Sequence, residues 1–193
     1  NTTTRTLYLP EGDWIEWWRS TAYREDDGSF ALGDLLMHTG GSEITVAAPR
    51  EEIPLFVRAG AVLPLLAPDV YTLAEHGADD PSVIRLADRL EQLHLLAFPR
   101  GESSGRFYDT GSYTSSEAPG QWTLAMDDSA ARTIHLQANL HALLQSFTPC
   151  AVHVGDSALA NSAWQYDAAT GVLRVVYRSD TGALRVLDCG SGG

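Results

Sequence analysis

An apolar run at residues 52–66 limits the fold of this chain more than any other feature. The run reads EIPLFVRAGAVLPLL, and Arg58 is its only charged residue after the first position. It is shorter than the roughly 20 apolar residues that cross a bilayer, and its two prolines exclude one long helix. We therefore expect two short strands, residues 55–58 and 61–66, hinged at residues 59–60 and buried on both sides.

Burial of this run would set requirements on two of its residues. An unpaired buried cation costs several kcal/mol, so we expect Arg58 to pair with a carboxylate or with nearby backbone carbonyls. Gly60 is expected to form the turn between the two strands. Both residues are therefore predicted to have structural roles.

The charge balance limits the kinds of partner. The 193 residues include 13 Lys+Arg and 25 Asp+Glu, which gives a formal net charge of −12. A phosphate-binding surface needs clustered cations, so this composition argues against nucleic acid, and neutral sugars fit better. The length suits one large or two small domains, and 44% hydrophobic residues is ordinary for a globular core.

The N-terminal residues carry no recognisable targeting signal. They read NTTTRT and lead straight into a predicted strand, so we expect any signal to lie upstream. No membrane-spanning helix is visible in the sequence. A membrane partner is therefore not expected.

Short alternating segments follow one another along the chain. Residues 4–9 alternate polar and apolar side chains, which is typical of a half-buried strand. Residues 14–18 are predicted to form a second strand that carries Trp14, Trp17 and Trp18 on its two faces. Further strands are predicted at residues 30–36, 43–48, 93–98, 106–108, 121–126, 133–138, 150–154, 172–177 and 183–187. Short strands separated by turns, with almost no helix, indicate an antiparallel sandwich.

Two segments interrupt this strand pattern. Residues 24–29 are predicted to be a hairpin tip, and its triplet Glu25, Asp26 and Asp27 offers carboxylate oxygens of the kind that calcium binds. The triplet lacks the alternating spacing that aims carboxylates inward, so a solvated turn is favoured. Residues 82–92 are compatible with a short amphipathic helix or with an irregular strand.

The cysteines and histidines give no metal-site pattern. Cys150 and Cys189 are equally compatible with a disulfide and with two free thiols. They lack a CxxC motif or a histidine pair at ligand spacing, so we expect no zinc site. His94, His135 and His153 alternate with apolar residues and are predicted to point outward from sheets. No metal and no cofactor is therefore expected.

Two motifs in the first 60 residues carry a resemblance to a known family. YLPEGDW stands at residues 8–14 and opens a W-x-x-W pair, and IPLFVRAG follows at residues 53–60. In this order the motifs resemble the β-sandwich that follows the catalytic barrel in glycoside hydrolase family 31, the α-glucosidase and α-xylosidase family. The resemblance implies an all-β fold of two consecutive antiparallel β-sandwich modules, the first of which is incomplete. A Gly-, Pro- and Asp-rich segment sets the expected boundary, with a proximal module at residues 1–76 and a distal one at residues 77–193.

The distal module of the family contains a strand that ends in an aromatic residue followed by D-D-G. Here Tyr108, Asp109, Thr110 and Gly111 stand at that place, with threonine replacing one acid. No second carboxylate lies within turn reach to make Asp109 half of a catalytic pair. Asp109 is therefore expected to hold a hairpin by an Asx-turn.

The resemblance also bears on catalysis. Family members hydrolyse α-glycosidic bonds with two aspartates on the strands of a (β/α)₈ barrel, one of them in a W-x-D-M-N-E type motif. This motif is absent here, as are G-x-S-x-G, the P-loop and H-E-x-x-H. We therefore predict no catalytic residue in this chain and expect a catalytic barrel of the same parent chain as its partner.

Two functions stay open at this point. The chain is predicted to be a non-catalytic accessory region that supports the barrel, or else an autonomous carbohydrate-binding module. In the second case Trp14, Trp17 or Trp18 would contact sugar, because aromatic rings can stack on pyranose faces. A binding platform needs neighbouring exposed rings, and the five tryptophans are dispersed along the chain, which favours the first function.

The incomplete first module has a further consequence. An unpaired sheet edge exposes N–H and C=O groups that can pair with another chain. We therefore expect the isolated chain to self-associate through its first half.

Overall fold

The computed structural model describes residues 3–75, 79–107, 111–128 and 130–190. The chain is nearly all β, with 49% of its residues in strands and 9% in helical turns. Among the described residues, every pair of strands is antiparallel except one, which joins residues 92–97 to residues 133–138. The predicted all-β fold with antiparallel sheets is confirmed.

The first part of the chain folds into three small sheets. Its elements are β1 (Thr4–Leu9), β2 (Asp13–Glu16), α1 (Trp17–Ser20), β3 (Thr21–Tyr23), β4 (Phe30–Leu32), β5 (Met37–Thr39), β6 (Ser42–Ala47), β7 (Phe56–Arg58) and β8 (Val62–Leu65). β1 pairs with β6, β2 lies between β5 and β7, and β3 forms a hairpin with β4. β8 instead joins a sheet of the second part of the chain.

A tight crossing of two loops joins the first two of these sheets. The Gly40 N–H donates to the Gly12 carbonyl at 2.7 Å, and the Gly41 N–H donates to the Leu9 carbonyl at 2.8 Å. A Cβ atom on Gly40 would lie 1.8 Å from the carbonyl oxygen of Pro10. Only glycine therefore fits at position 40.

The predicted strand at residues 14–18 is wrong beyond Glu16. The chain turns there into the single helical turn α1, and the Thr21 hydroxyl donates to the Trp17 carbonyl at 2.8 Å. The turn buries the Trp17 side chain, which is 6% exposed and packs on Phe30 with ring centroids 5.2 Å apart. Burial of this large ring favours the turn over continued strand pairing.

The apolar run forms the two predicted strands, but it is not buried on both sides. β7 and β8 are separated by a turn at Gly60, which has a φ of 95°. Val57 and Val62 are buried, whereas Ile53 is 82% and Leu55 46% exposed. Successive side chains of a strand point to opposite faces, so the half-buried Phe56 and the exposed Arg58 lie on the outer face of β7, opposite the buried Val57.

The second part of the chain is a sandwich of two larger sheets. Its strands are β9 (Gln92–Ala97), β10 (Ser103–Phe107), β11 (Gly111–Ala118), β12 (Gln121–Asp127), β13 (Thr133–Asn139), β14 (Ala151–Val154), β15 (Ser157–Ala158), β16 (Trp164–Asp167), β17 (Val172–Arg178) and β18 (Leu184–Leu187). One sheet has the order β10-β11-β12-β18-β14-β15 and the other the order β16-β17-β13-β9-β8. The sequence analysis missed β11, β15 and β16.

The main core lies between these two sheets. Trp122 on β12, Ile134 on β13 and Leu173 on β17 are completely buried in it. The Trp122 indole N–H donates to the Ser115 hydroxyl at 2.9 Å, which satisfies its polar atom inside the core.

Strand pairing and side-chain hydrogen bonds tie the first part of the chain to the sandwich. β8 pairs with β9, with Val62 opposite Ala97. The side-chain amide of Gln137 donates to the Phe30 carbonyl at 2.9 Å and accepts from the Leu32 N–H at 3.1 Å. The division at residues 76 and 77 stays a prediction, and these contacts show that the two parts share a sheet.

Four 3₁₀ turns and one disulfide complete the fold of the described residues. The amphipathic helix considered for residues 82–92 is reduced to a 3₁₀ turn, Leu86–Arg89, and three further 3₁₀ turns are Leu140–Ala142, Asn161–Ala163 and Ser179–Thr181. Cys150 and Cys189 form a disulfide with their Cα atoms 5.8 Å apart, which decides between the two states left open by the sequence. Among the residues described, no helix has the length and apolar character needed to span a membrane.

Candidate functional site

The three-stranded sheet of the first part presents one partly exposed face. Trp14 pairs with His38 on one side and with Arg58 on the other, and Glu16 pairs with Phe56. Directly paired residues project to the same side of a sheet, and so do residues two apart on one strand. These five side chains therefore share one face, which we call the open face, while Ile15 and Val57 point into the core.

A carboxylate anchors the centre of the open face. Glu16 is 8% exposed, and its Oε2 atom lies 2.8 Å from Nε2 of His38. The guanidinium of Arg19 lies 3.7 Å from the other Glu16 oxygen and donates to Glu52 at 2.9 Å. Arg19 partly offsets the negative charge of Glu16, His38 shares a hydrogen bond with it, and the network fixes the position of these side chains.

Exposed apolar side chains are concentrated in the first part of the chain. Eight of the eleven exposed large apolar side chains in the described residues lie in the first part of the chain. They are Tyr8, Tyr23, Leu36, Ile53, Leu55, Leu66, Tyr71 and Leu73. Leu36 and Leu55 adjoin the open face directly, because their carbonyls accept from the N–H groups of Glu16 and Trp17 at 2.9 Å each.

The three tryptophans named from the sequence have different environments. The Trp14 indole N–H donates to the Pro10 carbonyl, and the Trp18 indole N–H donates to the Ile53 carbonyl, each at 2.8 Å. Both rings are partly exposed, whereas Trp17 is buried. The structure therefore leaves only Trp14 and Trp18 with ring surface that a ligand could reach.

The sequence also predicted structural roles for Arg58, Gly60 and Asp109, and their outcomes differ. Arg58 is exposed and has no hydrogen-bonding or ionic partner among the described residues, so the prediction that it is buried and paired is wrong. Gly60 forms the expected turn, and its N–H donates to the Phe98 carbonyl at 2.7 Å. Asp109 lies outside the described residues.

The sequence analysis missed the structural ion pair of Arg100. Arg100 donates from Nε to Asp13 at 2.7 Å and from Nη1 to the Ala142 carbonyl at 2.9 Å. It thereby connects β2 of the first part to the loop after β13. Its position in the turn P-R-G, after a buried strand, gave no sign of this role.

Two histidines on the five-stranded sheet stack on each other. The rings of His94 and His135 lie 4.5 Å apart at an angle of 4°, and Nε2 of His94 is buried without a hydrogen-bond partner. Burial, and then the neighbouring His135, lower the pKa of His94 to about 4, and burial also lowers the pKa of His135. The stack is therefore neutral near pH 7. The sequence analysis predicted that these two histidines point outward from the sheet. Both side chains are half-buried.

No group of three or more His, Cys, Asp or Glu residues that could hold a metal ion occurs in the described ranges. The triplet Glu25, Asp26 and Asp27 forms the hairpin tip that the sequence predicted, and the Ser29 N–H donates to Asp27 at 2.9 Å. The carboxylate of Asp27 therefore helps to shape the turn.

Comparison with known proteins shows which protein family the chain resembles. Residues 1–63 match the model of the glycosyl hydrolase family 31 C-terminal domain. Residues 1–63 are therefore similar to a family 31 C-terminal domain. An isomaltosyltransferase of Sporosarcina globispora is 25% identical over 96% of this chain, which spans 16% of that enzyme.

Solved structures extend the likeness to nearly the whole chain. The family 31 dextranase of Flavobacterium johnsoniae, complexed with isomaltotriose, matches 96% of this chain with a TM-score of 0.62 and 17% identity. The cycloalternan-forming enzyme of Listeria monocytogenes matches 97% of it with a TM-score of 0.62 and 20% identity. This chain spans only 24% and 17% of those two chains. It corresponds to an accessory region of family 31 enzymes.

Proposed function

We propose that this chain supports the catalytic (β/α)₈ barrel of an enzyme that acts on α-glycosidic bonds, and that it has no catalytic activity of its own. The observation that carries the proposal is the open face with its border of exposed apolar residues. Leu36, Leu55 and Ile53 are exposed beside β2 and α1, and neighbouring exposed apolar side chains favour an interface. The names of the relatives, which include a dextranase and an isomaltosyltransferase, support a carbohydrate-active parent.

The barrel is proposed to cover the open face around β7. Leu55 and Ile53 would then be buried on docking, whereas the apolar residues exposed on the sandwich, such as Leu144, would stay in solvent. Removing apolar area from water contributes about 25 cal/mol per Å². A contact of this kind would stabilise the parent enzyme without changing the isolated chain.

The test compares two charge substitutions at exposed leucines. We expect Leu55→Glu to lower the thermal stability of activity in the full-length parent enzyme, and to leave the unfolding temperature of the isolated chain unchanged. Leu144→Glu, at a residue that is 63% exposed, serves as the matched control and is expected to have no effect in either protein. Equal effects of the two substitutions on the parent enzyme would refute docking at the open face.

The absence of catalysis in the isolated chain is tested directly. An oxocarbenium-like transition state needs two suitably spaced carboxylates in a cleft. We expect no turnover of p-nitrophenyl α-glucoside or α-xyloside. Turnover that is abolished by one Asp or Glu substitution in this chain would contradict the accessory role.

Sugar contact at the tryptophans stays a secondary proposal. It would rest on Trp14 and Trp18, because Trp17 has its ring packed on Phe30. Titration with maltose, followed by tryptophan fluorescence, tests it, and submillimolar affinity would favour the autonomous binding module over the accessory role.

A further inference from the structure

A polar cleft with aromatic walls lies between the β3–β4 hairpin tip and the segment that joins β8 to β9. Its volume is 750 Å³, and its lining includes Tyr23 and Asp26 from the hairpin and Tyr71 from the joining segment. Binding pockets for small ligands commonly have volumes of about 300–1,000 Å³. The cleft is separate from the open face and from Trp14 and Trp18.

The two tyrosines offer the apolar surface of the cleft. Tyr71 is 79% exposed and Tyr23 is 56% exposed. An exposed tyrosine presents a flat apolar ring and a polar hydroxyl, which suits a ligand that has both C–H and O–H groups on one surface.

The polar groups of the cleft are mainly hydrogen-bond acceptors. Asp69 accepts from Nε of Arg89 at 2.9 Å, and this hydrogen bond lowers the pKa of the Asp69 carboxyl. The carboxylate of Asp26 has no hydrogen-bonding or ionic partner among the described residues. His94 also lines the cleft, and its buried Nε2 atom is unpaired. Ionised carboxylates only accept hydrogen bonds, so the ligand must donate them.

This chemistry excludes most ligand classes. Carboxylates outnumber the single arginine of the cleft, which disfavours phosphates and other anions. The acidic residues here do not form a group that could hold a metal ion. A lipid would leave the carboxylates unpaired. A neutral polyol that stacks its C–H face on a ring and donates its hydroxyls fits both features.

We propose that this cleft binds a neutral oligosaccharide through Tyr23, Tyr71 and the carboxylate of Asp26. The site is independent of the proposed docking role, because the isolated chain contains all of it. It would hold a polysaccharide chain near the enzyme without taking part in bond cleavage.

The test measures binding of isomaltotriose and maltotriose to the isolated chain by isothermal titration calorimetry. For at least one of the two sugars, we expect a Kd on the order of 1 mM. Tyr71→Ala is expected to weaken this affinity at least fivefold, and Asp26→Asn is expected to weaken it as well. Tyr71 makes no packing contact in the core, so the substitution is expected to leave folding intact.

Tyr8→Ala is the matched control, because Tyr8 is 59% exposed on β1 and lies outside the cleft. The affinity of the Tyr8→Ala chain for the sugar is expected to equal that of the unsubstituted chain. Absence of binding by both sugars would overturn the proposal. So would equal affinities in the Tyr71→Ala and unsubstituted chains, or loss of binding in Trp18→Ala alone. None of these results would bear on docking of the barrel, which is tested at Leu55.

Discussion

Glu117 on β11 holds two neighbouring loops through one carboxylate. Its two oxygens accept from the N–H groups of Gly101, Leu144 and Gln145 at 2.9, 3.0 and 2.8 Å. These groups belong to the turn after β9 and to the loop after β13. A charged acceptor with three donors contributes more than a neutral one.

We expect Glu117→Gln to reduce the free energy of unfolding by about 1–3 kcal/mol, because it replaces charge-assisted hydrogen bonds and places an N–H₂ group against N–H donors. Urea denaturation measures this change. Glu102→Gln is the control, since Glu102 is exposed, and its effect is expected to stay within about 0.5 kcal/mol. Matching denaturation midpoints for the two variants would disprove the role of Glu117.

The stacked histidines predict sensitivity to mild acid. Between pH 6.5 and about 4, His94 binds a proton in the unfolded chain but not in the folded one. The free energy of unfolding therefore falls as the pH falls through this window. Allowing for the partial solvent exposure of the ring, we expect a loss of about 1–2 kcal/mol.

Denaturation at several pH values checks this expectation, with His94→Phe as the comparison. Asp69, which opposes the shift at His94, and Asp88 both have lowered pKa values, so their own contributions are lost below pH 3.8. The window above pH 4 therefore reports mainly on histidines. An identical pH slope in His94→Phe would show that the stack is not the cause.

Single-residue roles were the least predictable from the sequence. Arg58 stands inside an apolar run, yet it is exposed, while Arg100 in a turn carries the ionic pair with Asp13. The sequence shows how residues are spaced along the chain. It does not show which residues distant in sequence pair with each other in the fold. Arg58 stays exposed because its side chain lies on the outer face of β7.

Among the elements, the loop crossing at Gly40 gives the sharpest expectation. We expect Gly40→Ala to destabilise the chain by more than about 2 kcal/mol, because the new Cβ would overlap the Pro10 carbonyl. Gly33→Ala is the matched control, since a Cβ there has no neighbour within 4 Å. Thermal unfolding followed by circular dichroism measures both, and a Gly40→Ala chain as stable as Gly33→Ala would mean that the loops separate at little cost.

Element prediction succeeded where alternation was regular. β1 occupies the predicted residues, and β12, β13 and β17 agree within one residue at each end. It failed at Trp17 and Trp18, because burial of a ring against Phe30 is a tertiary effect that outweighs local strand preference. It also failed for β11, whose polar and small residues give a weak strand signal, and it missed β16 although Trp-Gln-Tyr-Asp alternates aromatic and polar residues.

On the scale of the whole molecule, the isolated chain is expected to self-associate. β1 and β6 form a two-stranded sheet, so each has a free edge in the described structure, and the apolar border of the open face is exposed nearby. Light scattering at increasing concentration should show a rising average mass, and Leu55→Glu should reduce it. A monodisperse monomer at high concentration would disprove this expectation.

The position of β8 limits how such regions can be exchanged between enzymes by recombination. A crossover at residues 76 and 77 would transfer β9 without β8, its antiparallel neighbour along Val62–Leu65. The acquired sandwich would then depend on a strand encoded by its new host. Inheritance of the second part as a unit is therefore expected to include β8, so the unit of exchange begins inside the apolar run.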